Sequence, residues 1–160
     1  MIQHKNPAHL RASFLSLDSR QIYEPSKTAF FAVNGLHHDG HQYVESLYAK
    51  GVREFIVEES AWQGPIDVKA SNWELSIIYV VENSIATLQE IAQQHRAQFQ
   101  YPVIGITGSI GKTICKEWLA TLCNHAFTVV KSPKSFNSQI GVPLSLWAMQ
   151  EKHNLGIFEA

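Results

Sequence analysis

The sequence has little cysteine, little excess charge of either sign and no long hydrophobic run. Its 160 residues include two cysteines, Cys115 and Cys123. Their spacing is neither a Cys-x-x-Cys pair nor half of a zinc set, so reduced, packed thiols are expected. Thirteen basic residues face 14 acidic ones, for a net charge of −1 and a pI near 6.7. That balance gives no electrostatic footprint for nucleic acid or an anionic membrane. The most apolar stretch, residues 75–81, falls far short of the roughly 20 residues a membrane-spanning helix needs. No apolar segment follows Met1, so no secretion signal is expected. Internal repeats and low-complexity tracts are missing too. What is present is 45% hydrophobic and 17% charged residues, an ordinary globular balance. One full domain or two small ones, soluble and cytoplasmic, is the expectation.

Strand-like and helix-like stretches alternate along the chain. Strands are expected over residues 12–17, 28–33, 54–57 and 75–81, the first ending in the turn-prone Asp18-Ser19-Arg20. A loop rich in Gly, Asp and His occupies residues 35–41. From Gln42 the period becomes helical, with Tyr43, Val44, Leu47 and Tyr48 on one face and Gly51 as a stop. Residues 61–72 are turn-like, with Gly64-Pro65. Asn83-Ser84 caps a helix carrying Ile85, Leu88, Ala92 and His95. Next come a strand over 103–107, a helix over 112–123, a strand over 127–130, a helix over 138–149 and a strand over 155–158. On the 112–123 helix, Ile114, Trp118 and Leu122 form one stripe with Cys115, Leu119 and Cys123 beside it, and Cys115, Trp118 and Cys123 are expected in the core. The order predicts an α/β fold with parallel, doubly wound sheets. A boundary near residues 82–84 divides it into units 1–83 and 84–160. The second unit has about three strands where roughly 5–6 are usual, which suggests part of a larger domain.

The sharpest motif is Gly105-Ile106-Thr107-Gly108-Ser109-Ile110-Gly111-Lys112-Thr113, between a buried strand and an amphipathic helix. That is the setting of a phosphate-binding loop. Glycines let successive backbone N–H groups of Gly108, Ser109, Ile110 and Gly111 turn toward an anion. Lys112 can reach the terminal phosphates of a bound nucleotide, and the Thr113 hydroxyl can coordinate Mg²⁺. The strict Gly-x4-Gly-Lys-Ser/Thr pattern fails, because Ile106 stands where the first glycine belongs. A tight turn with a solvated lysine is the bland alternative.

Other segments carry two readings each. Asp18-Ser19-Arg20 alone is a polar strand-end turn. His37-His38-x-x-His41 raises the idea of zinc, but Asp39-Gly40 is strong turn chemistry and no cysteine lies near. Asn137 and Ser138 suit a helix cap, with Pro143 in the first turns. Lys131 and Lys134 read as a solvated loop or as basic groups facing a phosphate site. Glu159, at the carboxyl end of a buried strand, is placed to hold Mg²⁺ with Thr113, or is an exposed strand-end carboxylate.

The Thr-Gly-Ser-x-Gly-Lys-Thr loop followed by Lys116-Glu117 resembles the ATP loop of the Mur ligase family, the amide-forming enzymes of peptidoglycan precursor synthesis. The resemblance extends to Asp18-Ser19-Arg20, Phe30-Phe31-Ala32-Val33-x-Gly35, His38-Asp39-Gly40-His41, the Phe136–Pro143 segment and Ile157-Phe158-Glu159-Ala160. Ser109 and Lys116-Glu117 lean toward the MurF type over the MurE type. The resemblance implies that Ser19, Arg20, Gly35, Asp39, Gly40 and His41 contact the UDP substrate and Asn137 the substrate or a phosphate. It further implies Lys112 as catalytic, with Thr113 and Glu159 on Mg²⁺. The implied substrates are ATP, a UDP-MurNAc-peptide and D-alanyl-D-alanine. Residues 131–147 and 153–160 also resemble family members fused to an alanine racemase, which would lie downstream. Two departures stand out: Ile110 replaces the family's small polar residue, and the amino terminus is short of an opening helix and strand. Remaining catalytic groups of the family fall later in sequence, so the chain alone is expected to bind without turnover. A folylpolyglutamate-type ligase, another phosphate-loop kinase and a non-catalytic UDP-binding module are the rival readings.

Overall fold

The computed structural model describes residues 2, 3, 7, 10–35, 38–64 and 76–160. Leu36 and His37, most of the turn expected over 61–72, and Leu75 at the start of an expected strand lie outside the described residues. The chain forms two compact units, Met1–Leu88 and Gln89–Ala160.

The first unit is a five-stranded, wholly parallel sheet. Its strands are β1 (Ile2–Gln3), β2 (Phe14–Ser16), β3 (Thr28–Phe31), β4 (Glu54–Glu58) and β5 (Ile77–Val81), in the order β1-β5-β4-β3-β2. The sequence places no strand before residue 12, yet β1 pairs Ile2 with Ile78 and Gln3 with Tyr79. Two residues are too few to carry a period. Phe30, Ala32, Phe55, Val57 and Ile78 alternate along their strands and pack with Val44 and Leu47 of α1 (Val44–Ala49). Ala29, Phe31, Ile56 and Tyr79 are buried as well. Burial of both faces explains the unbroken apolar runs of β3 and β4. The helix expected from Gln42 begins instead as a 3-10 turn, Gly40–Tyr43.

The α2 helix (Ser84–Ala97) starts at Asn83, whose Oδ1 accepts the Ala86 N–H at 2.8 Å. The second unit has a parallel sheet of β6 (Val103–Ile106), β7 (Val129–Lys131) and β8 (Leu155–Glu159), ordered β6-β8-β7. On one face Leu155 and Ile157 pack with Ala120 of α3 (Lys112–Cys123). On the other, Phe158 packs with Val130 and Met149, flanked by Phe99, Tyr101 and Leu146. Helical material on both faces of a parallel sheet is the doubly wound α/β arrangement the alternation predicts. The helix expected over 138–149 is shorter, α4 (Gly141–Leu146). Ser138 Oγ accepts the Gly141 N–H at 3.0 Å and holds residues 138–140 in a turn. Beyond Leu146 the chain tightens, with Ala148 and Met149 donating three residues back. Among the described residues no helix is long and apolar enough to cross a membrane.

Candidate functional site

Each unit gathers its polar loops at the carboxyl ends of its parallel strands, where open α/β sheets bind ligands. In the first unit, β2 runs into the Asp18-Ser19-Arg20 turn. Ser16 Oγ accepts the Asp18 N–H and donates to the Asp18 carbonyl. The Arg20 guanidinium is exposed and folds onto Asp18, Nε to Oδ1 at 2.8 Å and a terminal nitrogen to Oδ2 at 2.9 Å. Hydrogen bonds from the Arg20 side chain and backbone hold the Asp18 carboxyl well below the usual carboxylate range. Ser19 is half-buried beside them.

The loop after β3 is built on close backbone approaches. Gly35 N–H donates to the His38 carbonyl, and Gly40 N–H to the Val33 carbonyl, both at 2.9 Å. A Cβ at Gly40 would lie 2.8 Å from Val33 N, so only glycine fits. Asp39 accepts the His41 N–H at 2.9 Å and lies 2.6 Å from His41 Nδ1. Burial raises the Asp39 pKa, but the His41 contacts outweigh it and leave it below the ordinary value. His41 Nε2 accepts the buried Glu58 N–H at 2.9 Å, so its ring proton sits on Nδ1 and is donated to Asp39. Expected as a substrate contact, His41 is buried with both ring nitrogens on protein partners, and it shapes the loop. Glu58 extends the network, accepting the Ser84 N–H at 3.0 Å and the Asn34 N–H at 3.3 Å. Sequence reasoning missed Glu58, since a glutamate closing a strand reads as solvated. A cavity of about 140 Å³, lined by residues including Arg11, Thr28, Arg53 and Glu54, opens at the opposite, amino ends of these strands. There Glu54 is occupied by the Arg11 and Ala12 amides.

In the second unit β6 delivers the glycine loop to the start of α3. Gly108 has φ +140° and Gly111, the residue before the helix, φ +83°. A Cβ at either meets no atom within 4 Å, so conformation and not space calls for glycine. Lys112 Nζ donates to the Gly108 carbonyl at 2.6 Å, which draws the ammonium over the loop. Ser109 is exposed, and Ile110 is 93% exposed. The parallel register pairs Ile106 with Glu159, setting that carboxylate beside the strand end that feeds the loop. Thr113 Oγ1 donates to Glu159 Oε2 at 3.1 Å, and the Glu159 N–H donates to Ser132 Oγ at 3.0 Å. Glu159 is fully buried, against the alternative of an exposed strand-end carboxylate. Asn137 is exposed on the turn before α4, where Ser138 supplies the turn's oxygen.

The outward and inward faces of α3 reverse the expectation. Trp118 and Leu122 are each 71% exposed, Ile114 is exposed and so is Cys115. The inward stripe is Lys116 and Ala120, with Leu119 and Cys123 half-buried. Lys116 is fully buried, with Nζ donating to the Ser132 carbonyl at 2.9 Å and to the Lys134 carbonyl. It lies 2.9 Å from Glu159 Oε1 and 3.2 Å from Glu117 Oε1. The Glu159 contact is an ion pair between two fully buried side chains. A more apolar stripe one residue-step away hid the inward one.

Comparison with known proteins gives the family. Residues 11–103 match the model described as the Mur ligase family, catalytic domain, and residues 106–160 match the Mur ligase middle domain. The chain belongs to the Mur ligase family. A UDP-N-acetylmuramoyl-tripeptide–D-alanyl-D-alanine ligase of Treponema pallidum is 33% identical over 91% of this chain and 31% of its own length. The enzyme of that name from Rickettsia prowazekii is 35% identical over 81% of this chain and 27% of its own. Among solved structures, MurF from Acinetobacter baumannii superposes with a TM-score of 0.76 at 28% identity, covering 92% of this chain and 30% of that one. MurF from Thermotoga maritima, solved with ADP, gives 0.71 at 29% identity over 91% and 31%. The chain therefore spans about 31% of the length of the T. pallidum relative.

The donor set in the second unit fits a magnesium ion arriving with a nucleotide. Thr113 and Glu159 offer hard oxygens side by side, with the Thr113 hydroxyl 3.1 Å from Glu159 Oε2. Among the described residues no group of three or more His, Cys, Asp or Glu could hold a metal by itself. Mg²⁺ commonly takes one or two protein oxygens and completes its shell with phosphate and water.

Proposed function

We propose that this chain carries the UDP-substrate unit, residues 1–83, and the opening part of the ATP-binding unit, residues 84–160, of a cytoplasmic, MurF-type ligase joining D-alanyl-D-alanine to a UDP-MurNAc-tripeptide. The observation that carries the reading is the β6–β8 register, which brings the Lys112-Thr113 loop and Glu159 to the carboxyl end of the sheet. A carboxylate is a poor electrophile. Phosphoryl transfer from ATP converts the peptide carboxylate to an acyl phosphate, the dipeptide amine attacks, and the tetrahedral intermediate expels phosphate. In this chain the amides of residues 108–111 cradle the polyphosphate, and Lys112 leaves the Gly108 carbonyl for the terminal phosphates. Thr113 and Glu159 would hold Mg²⁺, which when bound neutralises charge on the phosphoryl oxygens. Asp18 presets the Arg20 fork at the first unit's loop edge, where Ser19, Gly35, Asp39 and Gly40 also lie. Asn137 is assigned to a substrate contact.

Calorimetric titration tests both units separately. UDP-MurNAc-tripeptide binds the 160-residue chain saturably, and Arg20→Ala weakens it. ADP binds with Mg²⁺, and Lys112→Ala weakens it by about 10- to 150-fold, the worth of a charge-assisted contact. The chain alone shows no ligation. Nucleotide affinity indifferent to Lys112→Ala would remove the loop from the site, and a folded chain that ignores the UDP-peptide would remove the first assignment.

A further inference from the structure

We propose that Lys116 is a positioning residue for the metal–nucleotide site, holding the Glu159 carboxylate in place from beneath and tying it to the Ser132–Lys134 turn. The inference rests on the nucleotide reading of the loop, and it assigns a role to a lysine that this reading leaves unused.

A fully buried ammonium is costly unless its donors are occupied and its charge is met. Lys116 satisfies both conditions with groups drawn from three separate segments. Two donors go to the carbonyls of Ser132 and Lys134, and the charge is met by Glu159 at 2.9 Å and Glu117 at 3.2 Å. Lys134 has φ +52°, a conformation that disfavours every residue except glycine and, to a lesser degree, asparagine or aspartate. That backbone turns the Lys134 carbonyl onto Lys116, so the contact offsets local strain. Ser132 is used twice: its carbonyl accepts from Lys116 while its hydroxyl accepts the Glu159 N–H at 3.0 Å. The result is a closed frame around one carboxylate. Its backbone is pinned by Ser132, Oε1 rests on the Lys116 ammonium, and Oε2 points to the Thr113 hydroxyl.

The placement on α3 adds a second argument. Lys112 and Lys116 are one helical turn apart, so they share a face. Lys112 reaches over the glycine loop and Lys116 reaches below it to Glu159 at the end of β8. One helix therefore addresses the phosphate side directly and the metal side through Glu159. A buried ion pair kept only for folding would not need its carboxylate aimed at the hydroxyl that follows the loop lysine. Without the Lys116 ammonium, Glu159 has no partner for Oε1 and the turn that braces its backbone loses its tie. The carboxylate then swings away from Thr113.

The test separates metal-dependent from metal-free binding. ADP is titrated into wild type, Lys116→Met, Lys116→Arg and Lys112→Ala, with and without Mg²⁺, with circular dichroism to check folding. Lys116→Met weakens Mg²⁺-ADP by about tenfold and metal-free ADP by less than about threefold. Lys116→Arg recovers most of the Mg²⁺ enhancement, and Lys112→Ala weakens ADP in both conditions. A folded Lys116→Met with the full wild-type enhancement overturns the proposal. Should Lys116→Met not fold, the wild-type chain decides: the ¹⁵N-lysine ammonium signal that disappears in Lys116→Arg shifts on adding Mg²⁺-ADP and not ADP alone. A signal that does not move overturns the proposal. Wild type that binds no ADP at all removes the nucleotide reading itself, an outcome distinct from normal binding with an indifferent Lys116.

Discussion

Replacing His41 by alanine tests whether the first unit's loop is held from inside. The ring fills a buried position, and its Nε2 is the acceptor for the Glu58 N–H, itself buried at the end of β4. Removing the ring leaves that N–H without a partner, which costs about 1–3 kcal/mol. The Asp39 contact is partly exposed and adds about 1 kcal/mol or less. The emptied ring volume brings the total to about 2–4 kcal/mol. Against a typical stability of about 5–15 kcal/mol, that is a large fraction. Urea unfolding followed by circular dichroism measures the loss, and hydrogen exchange at the Glu58 amide shows where it originates. The amide should exchange faster in His41→Ala even where the rest of β4 stays protected. A loss below about 0.5 kcal/mol, together with abolished UDP-peptide affinity, would refute the argument and place the ring against the ligand.

Three further outcomes follow from the geometry. Gly111→Ala strains a left-handed residue in open space, so it should cost about 1–2 kcal/mol in urea unfolding and weaken ADP binding through the loop's shape. Burial holds His95 and His153 below the ordinary histidine pKa, so the unfolded chain takes up protons first as pH falls. The second unit is then most stable above about pH 6.5 and loses stability below it. His95→Gln should flatten that slope, as read by unfolding between pH 5 and 8. Ile110→Asn alters a side chain that is almost wholly in solvent, so thermal unfolding should move little while ADP affinity reports any contact the substitution restores.

Much of the fold was legible because its signals are local. The α3 bounds, the strand that precedes it and the capped start of α2 follow from glycine, asparagine and helical period within a few residues. Other bounds depended on neighbours. The opening strand β1 exists because β5 offers it an edge, and α4 is short because Ser138 ties up the turn before it. In the candidate site, Lys112, Thr113 and Glu159 were legible by type and position, while Lys116, Ser132 and Glu58 were not.

By itself the sequence determined the alternation of strands and helices, the left-handed glycines of the loop and the residue types a phosphate site needs. These depend on backbone sterics and spacing along a few turns of chain. Only the tertiary structure decided which face of α3 turns inward. Apolar content favoured Ile114, Trp118 and Leu122, yet the turn at Ser132–Lys134 and the end of β8 offer Lys116 two carbonyls and a carboxylate that no local window contains. The same holds for His41, whose second ring nitrogen is claimed by an amide on a different strand. Burying a polar group is allowed or forbidden by partners distant in sequence, and folding is what supplies them.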